Sequence, residues 1–283
     1  MRFSLSSADL WIPDGTEPAA ALARTTHLAV GAHQDDLEIL AYHGIAACHR
    51  RPDRWFLGVV ATDGGGSARS GAYARYTDAE MRAVRRQEQR RAAELGGFGA
   101  CVQLDHPSAV LKDPGDPRPV ADLAGLLRAA RPEVVYTHNL ADKHDTHVAV
   151  ALRTLAALRG LPPEHRPHRV YGCEVWRDLD WLPDADKVAL DVSGEEDLQA
   201  ALLEVFASQV AGGKRYDLAT LGRRRAHATY HESHGTDAST GLTFAMDLTP
   251  LVADPGLDPS RYAEARIERL REDVLQRLAR LGG

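Results

Sequence analysis

With 283 residues, 44% of them apolar, the chain is long enough to bury the core of one large α/β unit or two small ones. A formal net charge of −6 provides no global basic field, which excludes nucleic acid and anionic membrane as partners recruited by overall charge. No apolar run reaches signal-peptide or membrane-span length, and the widely spaced cysteines, Cys48 and Cys101 in apolar patterns, read as buried free thiols, so the expectation is a soluble, cytoplasmic protein.

The apolar run "HLAVGA" (27–32) predicts a strand, and residues 36–49 a helix with Leu37, Leu40, Ala41, Gly44 and Cys48 on one stripe. A second strand is expected at 55–62, closed by "DGGGS". Thr77 and Glu80 form a capping box for a helix over 78–95 that stops at Gly96-Gly97. A third strand (100–104), a third helix ("RPVADLAGLLRAA"), a fourth strand (133–138) and a fourth helix ("DTHVAVALRTLAAL") follow. Alternation of this kind predicts a Rossmann-like, mostly parallel sheet with helices on both faces.

Beyond residue 160 the pattern loosens. Strands are expected in "HRVYGCEVW", "KVALDV" and "LTFAMDL", and helices over 195–211 and 214–231. The Arg-dense stretches "MRAVRRQEQRR" and "GRRRAH" read as solvated helix faces. Asp258-Pro259 starts a last amphipathic helix (259–281) striped by Ile267, Leu270, Val274, Leu278 and Leu281. That helix either packs back on the domain or joins two subunits of a homo-oligomer. With no repeat and no clear linker, residues 1–283 are expected to form a single domain.

Ligands of an open parallel sheet bind beyond the carboxyl ends of its strands. His33, Asp35 and Asp36 follow the first predicted strand, where carboxylates are poorly suited to burial unless something rewards them. His138, Asp142, His144, Asp145 and His147 follow the fourth. His-x-x-Asp from one loop and a His from the other supply the three N or O ligands of a catalytic zinc site, which keeps a position open for water. The side chains of adjacent aspartates diverge, so one can bind an ion while the other faces its water. A Lewis acid and a general base then lie within one tripeptide, as metal-assisted hydrolysis requires.

"AHQDDLE", "ATDGGGS", "RRQEQRRAAEL" and "DKHDTH" together resemble the PIG-L/LmbE-like family of metal-dependent N-deacetylases, over roughly residues 26–230. The resemblance implies a Rossmann-like fold, one Zn2+ per chain (Fe2+ or another divalent ion being the alternative), and removal of an acetyl group from a small N-acetylated amino sugar or conjugate. It makes His33, Asp36 and His147 the metal ligands and Asp35 the base. His144 becomes the group that stabilises the oxyanion or protonates the leaving amine, oriented by Asp142 or Asp145. Arg85, paired with Glu88 on the buried side of its helix, resembles a substrate-binding arginine, and a structural ion pair is the other reading.

Three departures from the family pattern stand out. In "HDTH" the acid follows the first histidine instead of preceding the second, which leaves Asp142 or Asp145 to orient His144. Gln34 replaces the usual proline, and after the third strand Ser108 stands where relatives place a substrate-binding aspartate, with Asp105 and His106 nearby. His227, His231 and His234 could line a pocket, hold a second metal or lie at the surface. The rival readings of the whole chain are an amidase acting on a larger amide and a non-catalytic carbohydrate-binding protein.

Overall fold

The computed structural model describes residues 1–211 and 213–282. Two elements that sequence patterning does not announce open the chain: β1 (Asp9–Trp11) and α1 (Pro18–Ala23). The predicted alternation follows as β2 (His27–Gly31), α2 (Asp36–Leu40), α3 (Tyr42–Cys48), β3 (Phe56–Thr62) and α4 (Asp78–Gly96). It continues with β4 (Ala100–His106), α5 (Ser108–Lys112), α6 (Arg118–Ala130), β5 (Val134–His138), α7 (Asp145–Arg159) and β6 (Arg169–Cys173). The remainder comprises β7 (Lys187–Asp191), α8 (Glu196–Glu204), α9 (Ala207–Val210), α10 (Tyr216–Tyr230), β8 (Leu242–Asp247), α11 (Thr249–Ala253) and α12 (Pro259–Gly282).

The strands form one sheet in the order β1-β4-β3-β2-β5-β6-β8-β7. Its centre, β4-β3-β2-β5-β6, is parallel, while β1, β8 and β7 pair antiparallel. Alternation along each strand divides the core between the two faces. Leu28, Val30, Val59 and Val102 point toward α1, α6 and α7, whereas Ala29, Val60 and Cys101 point toward α2, α3, α4 and α8. From β2 the chain runs to β3 and β4 on one side and later to β5 and β6 on the other. The switch point therefore lies between β2 and β5, which is where an open α/β sheet leaves a crevice.

The capping box is present: Glu80 N–H donates to Thr77 Oγ1 and Thr77 N–H to the Glu80 carboxylate, while Gly97 ends α4 with a left-handed φ of 64°. The helix expected over 36–49 is broken at Ala41. There the buried Arg224 guanidinium donates to the carbonyls of Glu38 and Ile39, supplying the partner that continued helix would provide. The helix expected over 195–211 breaks at the buried Phe206. All three cysteines are free and buried.

The start of α12 is tied down by Arg269 on Asp186 and by the Tyr262 hydroxyl, which donates to the Asp247 carbonyl. Its apolar stripe stays exposed, with Ile267 50% and Leu281 75% accessible. No described helix is long and apolar enough to cross a membrane.

Candidate metal centre

β2 ends at Gly31, and the chain turns at once into α2. A Cβ at Gly31 would stand 3.0 Å from that of Asp36, so the glycine is what lets Asp36 fold back over the strand end. The turn passes through Asp35, whose φ of 92° is left-handed, a region in which asparagine and aspartate are enriched among residues with a Cβ. Its backbone N–H is held by Gln89 Oε1, and the Asp36 carboxylate accepts the N–H of His33 at 2.7 Å.

β5, on the other side of the switch point, delivers the second loop. Asn139 fixes its first turn, and Asp142 Oδ1 accepts the backbone N–H of His144. His147 then enters from the first turn of α7. Its Nδ1 faces Asp142 Oδ2 at 3.4 Å, and that oxygen also accepts the N–H of Trp176. Such a carboxylate behind an imidazole fixes the ring so that its other nitrogen faces the site.

Three acceptor atoms converge as a result. His147 Nε2 lies 3.2 Å from His33 Nδ1, which lies 3.3 Å from Asp36 Oδ2, and Asp36 Oδ2 lies 3.4 Å from His147 Nε2. Donor atoms at zinc-ligand distances from a tetrahedral ion stand about 3.3 Å from one another. Two imidazole nitrogens and a carboxylate oxygen this close make a donor set that fits a divalent metal. His138 underlies the triangle: its ring stacks on His147 with centroids 3.9 Å apart, and its Nε2 accepts the N–H of Ala32. His138, Asp142 and His147 form a second, overlapping group of ligand type.

The two adjacent aspartates have opposite electrostatics. Burial opposes ionisation of Asp36, but the imidazoles of His147 and His138 overcome it and hold the carboxyl well below its usual range. Asp35 is pushed up by burial and by the charge of Asp36, against the pull of Arg85. Its Oδ2 receives the Arg85 guanidinium at 2.6 Å and the Tyr216 hydroxyl at 2.5 Å.

Arg85 is 1% exposed. It also donates to Glu88 and to the Gln34 carbonyl, and Glu88 in turn accepts from the backbone and hydroxyl of Ser208. Of the two readings of Arg85, the structure shows the buried ion pair with Asp35 and Glu88, and the residue also borders the cleft. Gln34 is buried and donates to Thr62 and Gln103.

His144 stands at the rim with its ring edge-on to His33. Burial and the neighbouring imidazoles of His147 and His33 lower its pKa. The expectation that Asp142 or Asp145 orients its ring needs correction. Asp142 holds the backbone of His144 and the ring of His147, and Asp145 is exposed at the start of α7. Asp105 is turned onto Arg86, and His106 is buried against Asp122, while Ser108 does border the cleft. His227 packs on Phe244 away from the site, and His234 is exposed. Among the described residues, none of His227, His231 and His234 belongs to a metal-type cluster.

A cleft of about 410 Å³ opens over His33, Asp35 and Asp36. Tyr216, Trp176, Lys112 and Lys214 are among the lining residues that sequence reasoning did not single out. Three possible metal donors at the switch point of a parallel sheet, with the Asp35 carboxylate beside them, are what this Rossmann-like fold presents at the cleft. Residues 28–158 match the PIG-L family, described as GlcNAc-PI de-N-acetylase. The resemblance read from the motifs holds over that stretch, which is a PIG-L region.

Several solved structures share the fold. N,N'-diacetylchitobiose deacetylase from Pyrococcus horikoshii is 16% identical with a TM-score of 0.60, covering 78% of this chain and 83% of its own. GalB, the 4-carboxy-2-hydroxymuconate hydratase of Pseudomonas putida KT2440, is 21% identical with a TM-score of 0.61, covering 79% and 96%. Teicoplanin deacetylase Orf2, in a zinc-inhibited form, is 17% identical with a TM-score of 0.54, covering 78% and 97%. No curated protein sequence matches the chain.

Proposed function

We propose that the protein is a metal-dependent N-deacetylase of small N-acetylated amino sugars or their conjugates. The observation that carries this reading is the triangle of His33, Asp36 and His147 within the PIG-L region, with Asp35 beside it and left out of it. Deacetylases among the structures of like fold support it. A metal kept only for structure needs no spare carboxylate, which argues against a purely carbohydrate-binding role.

One divalent ion, Zn2+ or Fe2+, would be held by His33, Asp36 and His147. When bound, it polarises the acyl carbonyl and acidifies water. Asp35 accepts the proton of the attacking water. Because Arg85 and Tyr216 occupy its Oδ2, the other oxygen is the one presented to that proton. The upward shift of its pKa moves it toward the range in which a base both takes and releases a proton. Asp35 then returns the proton to the leaving nitrogen, so amide and water become amine and carboxylate with no proton lost. His144, neutral by virtue of its lowered pKa, donates a hydrogen bond to the developing oxyanion.

The test is to load the protein with single metals, add a panel of N-acetyl sugars and conjugates, and measure released acetate and free amine together. Equal release of both, lost on chelation, is expected. A larger acid in place of acetate would make the enzyme an amidase of the same mechanism. Hydration of an unsaturated acid, with no amine from any amide, would move it to the chemistry named for the Pseudomonas neighbour and overturn the reading.

A further inference from the structure

The last helix, α12, lies outside residues 28–158, the stretch that matches the family. Its first turns are tied to the domain, but residues 271–282 are exposed on every side. Among the described residues, the ion pairs beyond residue 270 stay within the helix: Arg271 on Glu268 at 3.1 Å and Arg277 on Asp273 at 2.9 Å. A helical segment of this length with no tertiary face to pack on is marginal in water. Its surface is not polar all round, however. Ile267, Val274, Leu275, Leu278 and Leu281 are 45–75% exposed, and a contiguous apolar stripe of this kind marks a contact with another molecule.

The spacing of the stripe selects that molecule. Counted from Val274, Leu270 and Leu278 lie four positions to either side, and Ile267 and Leu281 seven. The pattern reads the same in both directions, so it matches a second copy of itself run antiparallel about a two-fold axis at Val274. In that register Val274 meets its own counterpart, Leu270 the partner's Leu278, and Ile267 the partner's Leu281. Ile267 to Leu278 and Leu270 to Leu281 are each eleven residues, about three whole helical turns, so the seam keeps to one face.

The flanking charges agree with the same register. Asp273 and Arg277 share one edge of the stripe and border one surface recess with Val274, Leu278 and Leu281. Running the second copy antiparallel brings the partner's Arg277 within two residue rises of Asp273, about 3 Å along the axis. Each Asp273 then stands between its own Arg277 and the partner's. On the other edge Leu275 meets the partner's Leu275 and widens the seam. A parallel pair would set Leu275 against the partner's Asp273 instead.

We propose that the protein is a homodimer joined through α12, with the two helices packed antiparallel about Val274. Ile267, Leu270, Val274, Leu278 and Leu281 form the seam, and Asp273 with Arg277 sets its register. The dimer is independent of the reaction assigned to the cleft.

Sedimentation of the full chain over a range of concentrations tests the proposal. It should pass from monomer to dimer with a dissociation constant of roughly micromolar size, because one helix pair is a small interface. Val274→Glu sets two carboxylates on the axis and should weaken the dimer roughly thirtyfold, as loss of a central hot spot does. Asp273→Arg should weaken it roughly three- to fivefold, as for exposed ion pairs, and adding Arg277→Asp should restore it. Cysteines read the orientation, since the three native thiols are buried. Under a mild oxidant, Ile267→Cys mixed with Leu281→Cys should give a mixed disulfide dimer, and Ile267→Cys alone should not couple. Melting temperatures check that each variant folds. A monomer at every concentration would overturn the proposal, and binding of that monomer to vesicles of anionic lipid would assign the stripe to a membrane. A trimer or larger assembly, a dimer unaffected by Val274→Glu, or Ile267→Cys coupling to itself would overturn it equally.

Discussion

The guanidinium of Arg85 meets Oδ2 of Asp35 at 2.6 Å, with both residues buried and fifty positions apart in the chain. Tyr216 reaches the same oxygen from α10. The base proposed above is thus held by two elements, α4 and α10, that contribute nothing to the donor triangle.

Arg85→Ala should act through Asp35. Removing it strands the carboxylates of Asp35 and Glu88, at a cost of about 3–5 kcal/mol in stability, the usual consequence of breaking a buried pair. Turnover should fall more than KM rises. Steady-state kinetics with a melting curve check both. An unchanged melting temperature with a rise in KM alone would mean that the arginine grips substrate.

Asp35→Asn and Asp36→Asn should separate base from ligand. The first should leave metal content nearly intact and lower kcat by roughly 10²–10⁴. The second should release the metal, because its Oδ2 is one corner of the donor triangle. Elemental analysis beside single-turnover rates decides the matter, and the reverse pattern would exchange the two roles.

His144→Ala should keep the metal and lower kcat by about 10²–10³. The triangle is complete without it, and its ring only flanks His33. Loss of metal in this variant would make His144 a fourth ligand.

The metal-free protein should lose stability toward acid. Burial, the main cause in each case, pushes His27, His138 and His227 from 6.5 down to about 4. The unfolded chain takes up these protons near pH 6.5 and the fold does not, so stability is full above that pH and drains away between about 6.5 and 4. His227, remote from the metal centre, isolates the effect. His227→Gln should make the melting temperature fall less steeply over that range, and an unchanged slope would contradict the assignment.

The donor triangle was legible because each half lies in a short motif at the end of a strand whose apolar pattern is plain. The sheet needed only to place β2 beside β5. Tyr216 was not legible: it lies 181 residues from Asp35, and nothing in "KRYDL" marks a tyrosine that closes on a distant carboxylate. Gln89 and Glu88 carried a faint signal as polar residues on the buried side of α4, but their partners Glu38 and Ser208 come from elsewhere in the chain. The insertion of β8 between β6 and β7 was likewise invisible, since local pattern defines a strand and tertiary packing chooses its neighbours. The orientation of His144 was misjudged because Asp142 and Asp145 flank it in sequence. One of them turns to the backbone and to His147, and the other to solvent.

The left-handed backbone at Asp35 narrows what can replace it. A longer acid would keep the charge but strain the turn, so Asp35→Glu is the harsher exchange despite its chemistry. Asparagine fits the same φ and differs at one atom, yet accepts no proton. A single-base change from an aspartate to an asparagine codon at this position would therefore yield a protein that folds and retains its donor triangle with only a small remnant of turnover. On the proposed mechanism, the fold stands one step from a pure binding protein, and that step is taken at Asp35 rather than at any residue of the triangle.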